Sequence, residues 1–417
     1  VRALTVTGAL LDGETVGLRC AGGEIAALGP GVAAEPGDEL LEAGGRLLAP
    51  PFVNAHGHAA MTLFRGFGDD LPLMQWLEEK IWPAERRLEP EDVYWGTRLA
   101  CVEMLRSGTT RLFDMYWHGP QVARAVRDAG MRAVPGAVLI DSLDPGMGAR
   151  LRFAAMESLD ELADGGPLIE PSLAPHAIYT VSRESLAWIA EVAADRELPV
   201  QIHLAETEGE VADCLEAHGV RPAHYLDELG LLGPRTMLAH GVWLDGSELE
   251  LIAARGATVA TNPAANMKLA VGGVFPYPAA AAAGVHVALG TDGASSNNNL
   301  DMLEEVKLLA LAQKHAAADS SVLPAAEALA IARGLRSPLA GGGDLAVGAA
   351  ADFLLLDAEA PELSAGDLDA GLVYAATGSV VDTVVVGGEV AMRDRTVAGS
   401  EEALAEVRGR AARLTGG

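Results

Sequence analysis

A chain of 417 residues, half of them hydrophobic and 21% charged, has ample material for a folded core and is not disordered. Its net charge of −28 excludes duplex nucleic acid as a partner, because displacing counterions needs clustered Lys and Arg. Three widely spaced cysteines (Cys20, Cys101, Cys214) make no CxxC pair and no disulfide framework, which suits a reducing compartment. Val1 to Leu11 has no basic region ahead of an apolar stretch, and the longest bland run, Ala279–Ala283, falls far short of the ~20 residues that span a bilayer. A soluble, cytoplasmic protein with no membrane partner is expected, acting on a small molecule and assembling as a homo-oligomer.

The first 45 residues read as short strands: Val16, Leu18 and Cys20 alternate, and Gly22-Gly23 supplies a hairpin turn before Glu24 and Ile25. A similar figure recurs late in the chain, with Thr383–Val386, Gly387-Gly388 and Glu389–Met392, preceded by an apolar strand at Phe353–Leu356. The sequence therefore predicts a small β-sandwich assembled from both ends, residues 1–46 and 346–417, with a terminal helix over Glu401–Leu414. Between them, over 47–345, eight apolar strand candidates alternate with helical segments. They are Leu47–Asn54, Thr110–Met115, Arg132–Leu139, Leu168–Ala174, Pro199–Leu204, Thr236–His240, Thr258–Thr261 and Val285–Thr291. Amphipathic stretches such as Glu91–Ser107, stopped by Gly108, and Ser182–Ala194 fill the intervals. An α/β fold is predicted, a (β/α)₈ TIM barrel with the sandwich beside it. A doubly wound sheet is the rival, but no Gly-x-Gly-x-x-Gly follows the first strand and no P-loop occurs. About fifty residues separate the first two strands, including Met61–Pro90, which reads as a lid or binding loop, or as a peripheral helix.

The chemistry gathers at the strand ends. In His56-Gly57-His58 the two imidazoles, at i and i+2 of a strand, face the same way and can point at one metal. His203, His240 and Asp292 end the fifth, sixth and eighth strands. Any one of them could be a hydrogen-bonded residue in a strand-to-loop turn. All five at the end of a barrel where active sites lie are harder to explain so.

With these residues stand Pro51–His58, Asp69–Leu77, Ile81–Glu85, Ser107–Thr110, His203–Thr207, Asn262–Leu269 and Gly290–Asn298. On these segments the whole chain resembles the amidohydrolase superfamily, within the 5′-methylthioadenosine/S-adenosylhomocysteine deaminases and related aminohydrolases. The resemblance and the donor types together imply one Zn²⁺ held by His56, His58, His203 and Asp292, with iron or another divalent ion as a possible replacement. Binuclear relatives bridge two metals with a carboxylated lysine on the fourth strand, and here no lysine lies between Lys80 and Lys268.

A bound Zn²⁺ lowers the pKa of water from 15.7 to ~7, which suits attack on an electron-poor ring carbon such as C6 of adenine. Glu206 is then the acid that protonates the ring nitrogen and relays a proton to departing ammonia. The alternative is a first-turn glutamate favoured by the helix dipole. Asp292 accepts the water's proton and His240 holds the nucleophile. By resemblance, Glu85 takes the ribose hydroxyls, His176 contacts the base and Ser296 the purine edge. Trp76 packs on the sugar or base, or is a core tryptophan. Arg150 or Arg152 meets a substrate carboxylate, but Gly136–Gly148 offers no second arginine, so a neutral 5′ tail is expected over S-adenosylhomocysteine. The sequence thus points to a metal-dependent deaminase of adenosine or a 5′-modified adenosine. The alternatives are an aminohydrolase or dechlorinase of a guanine derivative, pterin or triazine, and a noncatalytic scaffold of the same fold. A zinc deaminase of the His-x-Glu/Pro-Cys-x-x-Cys type is excluded, and the absence of a Gly-x-Ser-x-Gly elbow argues against a serine-nucleophile hydrolase.

Overall fold

Strands of Val, Ile, Leu and Ala that are buried on both faces form a parallel sheet at the centre of the molecule. The computed structural model describes residues 2–142 and 145–416. The central strands are β1 (Phe52–His58), β2 (Thr109–Asp114), β3 (Arg132–Leu139), β4 (Ser172–Pro175) and β5 (Val200–Leu204). They continue with β6 (Thr236–His240), β7 (Thr258–Thr261), β8 (His286–Leu289) and β9 (Asp292–Gly293). They pair in sequence from β8 back to β1, and β9 pairs in parallel with β1 at Gly57 and His58. Only Gly290-Thr291 separates β8 from β9, so the last segment of the sheet curls round to meet the first. Gly290 is required there: a Cβ would lie 2.7 Å from the His56 carbonyl oxygen and 2.5 Å from the side-chain amide of Asn262.

Helices fill the intervals with ordinary end signals. Pro90–Arg106 starts in a reciprocal cap between Glu89 and Asp92 and ends before Gly108, at φ +86. Ser182 caps Arg183–Arg196 by accepting from the Ser185 N–H. The stretch after β1 holds short helical turns, among them Ala59–Phe64, Leu73–Trp76 and Trp82–Glu85.

Both ends of the chain build a second sheet of nine strands among the described residues, from Leu4–Leu11 through Thr396–Val397. Hydrogen-bond pairing makes it one continuous sheet rather than two separate ones. It wraps a core containing Val6, Leu18, Ile25, Phe353, Leu355 and Val385. The expected strand Leu47–Asn54 divides in two. Leu47–Ala49 joins the terminal sheet beside Phe353–Leu356, and β1 begins at Phe52. Pro50 and Pro51, which lack an N–H for either ladder, force the break. The terminal helix runs Ser400–Thr415.

Candidate active site

His56 and His58 alternate along β1 and project to one side of the sheet. Each neighbour is held from behind by a backbone carbonyl. His58 Nδ1 lies 2.6 Å from the Met115 oxygen and His203 Nδ1 lies 2.7 Å from the His176 oxygen. A carbonyl can only accept, so both Nδ1 atoms carry a proton and both Nε2 atoms face inward. There a cation would take the place of the proton that Asp292 draws to His58. Those two Nε2 atoms are 3.3 Å apart. Asp292 Oδ1 lies 3.1 Å from His58 Nε2 and 3.4 Å from His56 Nε2. One ligand atom from each of His56, His58, His203 and Asp292 falls within 4.8 Å of every other. His56 Nε2 is buried and has no hydrogen-bond partner among the described residues.

Converging lone pairs and an orphaned buried nitrogen are what a divalent cation satisfies, and three imidazoles with one carboxylate suit Zn²⁺ or a similar ion. Burial holds His56 down at about 4 and His203 well below the usual imidazole range, so both are neutral ligands at pH 7. Burial would raise Asp292, but His56 and His58 hold it well below the carboxylate range.

The strand ends are bent to deliver these groups. Ala205, His240 and Asp292 all adopt left-handed φ values, +49, +73 and +59. Asn54 braces the last of them: its Oδ1 accepts from Thr291 N at 3.0 Å, and its Nδ2 donates to Thr291 Oγ1 at 2.7 Å. Ser296 Oγ donates to Asp292 Oδ2 at 2.5 Å, and His240 Nδ1 pairs with Asn266 Oδ1 at 2.8 Å. Asp114, fully buried, accepts the Ala59 N–H at 2.6 Å just past His58. Burial, opposed by that N–H, pushes its carboxyl up to about 6.

Above the metal ligands lies a cavity of about 80 Å³. His58, His203 and Asp292 line it together with Glu206, His240, His176, Ser296, Trp76 and Glu85. Glu206 Oε1 stands 3.9 Å from His240 Nδ1, and burial raises its carboxyl above the ordinary range. Burial likewise raises Glu85, against the pull of Tyr116 and of Trp117, whose Nε1 donates to Glu85 Oε2 at 3.3 Å. Trp76 is also a core residue, with its Nε1 on the Phe67 carbonyl. A second cavity of about 670 Å³ opens beyond Glu85, sharing Trp82, Glu85, Trp117, Val138 and Ile140 with the first. Helix Gly148–Ala163 walls it with Leu151, Ala154 and Ala155.

The arginines do not join this site. Arg150 is exposed and lines neither cavity, while Arg152 donates to Ser185 Oγ and Glu184 Oε1. Sequence reasoning missed the braces. The Met115 and His176 carbonyls are backbone atoms and carry no residue signal. Asn54 and Asn266 could have been suspected, as polar residues in stretches destined for burial.

Comparison with known proteins agrees with this geometry. The amidohydrolase family model matches residues 47–391. A 5′-deoxyadenosine deaminase from Methanoregula boonei is 47% identical over 380 residues, covering 90% of this chain and 86% of that one. A 5-methylthioadenosine/S-adenosylhomocysteine deaminase from Syntrophobacter fumaroxidans is 47% identical over 384 residues, covering 89% and 87%. Among solved structures, an adenosine deaminase from Xanthomonas campestris with bound zinc superposes with a TM-score of 0.91 at 34% identity, over 99% of this chain and 98% of that one. An atrazine chlorohydrolase from Arthrobacter aurescens, 21% identical with a TM-score of 0.87 over 98% of this chain and all of that one, shares the fold. This chain therefore belongs to the amidohydrolase family, as a metal-dependent hydrolytic enzyme.

Proposed function

We propose that the enzyme hydrolyses the C6 amino group of a purine nucleoside, adenosine or a 5′-modified adenosine such as 5′-methylthioadenosine, with one Zn²⁺ on His56, His58, His203 and Asp292. In this reading the central sheet is a closed (β/α)₈ barrel, with β8 and β9 as two halves of its last strand, and the terminal sheet is a bent sandwich. The observation that carries the function is Glu85 in the same cavity wall as Glu206: a carboxylate able to accept from both hydroxyls of a cis-diol, beside a buried proton donor. The names of the relatives agree with it.

A divalent ion bound there supplies Lewis acidity, bringing water's proton within reach of a base at neutral pH. The chain's residues do the rest. Asp292 takes the proton of the attacking water, and His240, fixed by Asn266, orients that water. Glu206 protonates the ring nitrogen as C6 becomes tetrahedral, then takes up the proton of the new C6 hydroxyl and relays it to the leaving amine. The proton held by Asp292 then returns to Glu206, so that water is consumed, ammonia is released and both carboxyls regain their starting states. Ser296 and His176 face the purine, and Trp76 packs on the nucleoside. The second cavity takes the 5′ substituent. Its polar lining, Glu85, Arg86, His118, Ser158, Glu157 and Glu161, sets one arginine against three glutamates, which gives a carboxylate tail little to bind and favours an uncharged one.

Ammonia release from adenosine, 5′-deoxyadenosine, 5′-methylthioadenosine and S-adenosylhomocysteine tests this with zinc-loaded and chelator-stripped protein. Expected are loss on chelation, return with zinc, and a higher kcat/KM for the uncharged tails. A tenfold advantage for S-adenosylhomocysteine would overturn the tail assignment, and no release from any of the four would overturn the function.

A further inference from the structure

A proton carrier must be aimed, and the aim of Glu206 is set by a turn that would not hold its shape alone. β5 ends at Leu204, and Ala205 takes a left-handed φ of +49, which an L-residue keeps only where its surroundings over-determine it. Thr207 then caps helix Glu208–His218, its Oγ1 accepting from Glu210 N at 3.1 Å. A glutamate at this third position ordinarily reaches back to the N–H of the cap residue. Glu210 reaches further: Oε1 accepts from Ala205 N and Oε2 from Glu206 N, both at 2.9 Å.

The other ends of the same two peptide units are also held. The Leu204 carbonyl accepts from Gly241 N at 3.0 Å, and the Ala205 carbonyl from Trp243 N at 2.9 Å. Both peptide planes flanking Ala205 are therefore gripped at N–H and at C=O. Glu210 is on one side, and the segment that follows His240 is on the other. Glu210 is 6% exposed, so water offers no substitute acceptor for either N–H.

We infer that Glu210 is a positioning residue, whose two oxygens fix the backbone of Ala205 and Glu206 and so aim the Glu206 carboxyl at the reacting ring. The inference rests on the deaminase reading above. Glu210→Gln is nearly isosteric, but its amide can accept at one end only and turns a donor toward the other N–H.

In zinc-loaded protein, Glu210→Gln is expected to lower kcat for adenosine about 10²-fold, as a small misplacement at a reacting centre does. KM stays within about threefold and the zinc content per chain is unchanged. Because the effect passes through Glu206, Glu206→Gln/Glu210→Gln should be no more than about twofold slower than Glu206→Gln alone. In a crystal of Glu210→Gln, the Glu206 carboxyl should be displaced. A kcat within threefold of wild type, the same fold-loss in both backgrounds, or an unmoved Glu206 would overturn the inference. Glu210→Asp, one methylene too short to span both N–H groups, replaces Glu210→Gln if the latter does not fold; failure of both to fold would make the role structural and overturn it. Wild-type protein that releases no ammonia fails the deaminase reading instead, and the displacement of Glu206 still decides the role of Glu210.

Discussion

Four carboxylates crowd one small volume, and their surroundings give each a different task. Asp292 is held ionised among imidazoles, Glu206 is raised by burial toward the range of a proton donor, and Glu210 grips two peptide N–H groups. Glu85 stands apart at the neck between the two cavities, with Trp117 Nε1 on one oxygen. Its replacement tests the proposed diol contact. Glu85→Gln is expected to raise KM for adenosine about 10–100-fold, the loss of a charge-assisted hydrogen bond of about 1.5–3 kcal/mol, with kcat within a few-fold. Toward 2′,3′-dideoxyadenosine the variant and wild type should differ little. An equal penalty on both substrates would remove Glu85 from the ribose. The His56, His58, His203 and Asp292 cluster was legible in the sequence because each stands at or next to the end of an apolar run, where an imidazole or carboxylate is conspicuous. Arg150 misled because the helix from Gly148 to Ala163 turns it to solvent, a matter of helical phase rather than residue type.

At the scale of elements, the strands were legible because their apolar runs are short and stopped by polar residues. The terminal sheet was only partly so: the pairing of Leu47–Ala49 with Phe353–Leu356 spans some 300 residues and leaves no local signature. The connection after β1 is the element with most bearing on catalysis. It brings Trp76, Trp82 and Glu85 over the His/Asp cluster on a succession of short helical turns. Lys268 ties it down. Its ammonium donates to Asp69 Oδ1 at 2.8 Å, the Ser295 carbonyl at 3.0 Å and Asn298 Oδ1 at 2.6 Å, while Asn298 Nδ2 donates to Asp69 Oδ2 at 2.7 Å. The connection is thereby joined to the loop that carries Ser296. Lys268→Met should release this tie at a cost of about 1–2 kcal/mol. The expected results are a KM for adenosine about tenfold higher, faster amide exchange over residues 66–81, and unchanged bound zinc. Unchanged exchange over that segment would show that the tie does not hold it.

At the scale of the whole molecule, the C-terminal helix is tied to a helix more than 300 residues earlier in the sequence. The C-terminal helix Ser400–Thr415 packs on helix Pro90–Arg106, which lies directly behind the connection over the site. At that junction Asp92 is fully buried. Arg410 donates to its Oδ1 at 2.9 Å, Arg413 pairs with Oδ2, and the Glu89 N–H donates to Oδ2 at 2.8 Å. Burial alone would raise this carboxyl, but Arg413, the Glu89 N–H and Arg410 outweigh it and hold it below the ordinary range. A carboxylate whose pKa falls on folding stabilises the native state fully above its unfolded value of about 3.9. That stabilisation is lost as pH falls through the folded value. Arg410→Ala/Arg413→Ala leaves a buried carboxylate with one N–H donor, at a cost of about 3 kcal/mol, the lower figure for a broken buried pair because both guanidiniums are partly exposed. Urea unfolding should show that full difference from wild type at pH 7. The difference should shrink as pH falls through the variant's folded Asp92 pKa, which burial without the arginines raises above the unfolded value of about 3.9. It should go on shrinking down to the wild-type folded value, because protonated Asp92 no longer needs its partners. A difference that stays constant from pH 7 to pH 3 would assign the contribution of these arginines to helix packing instead of to the charge on Asp92.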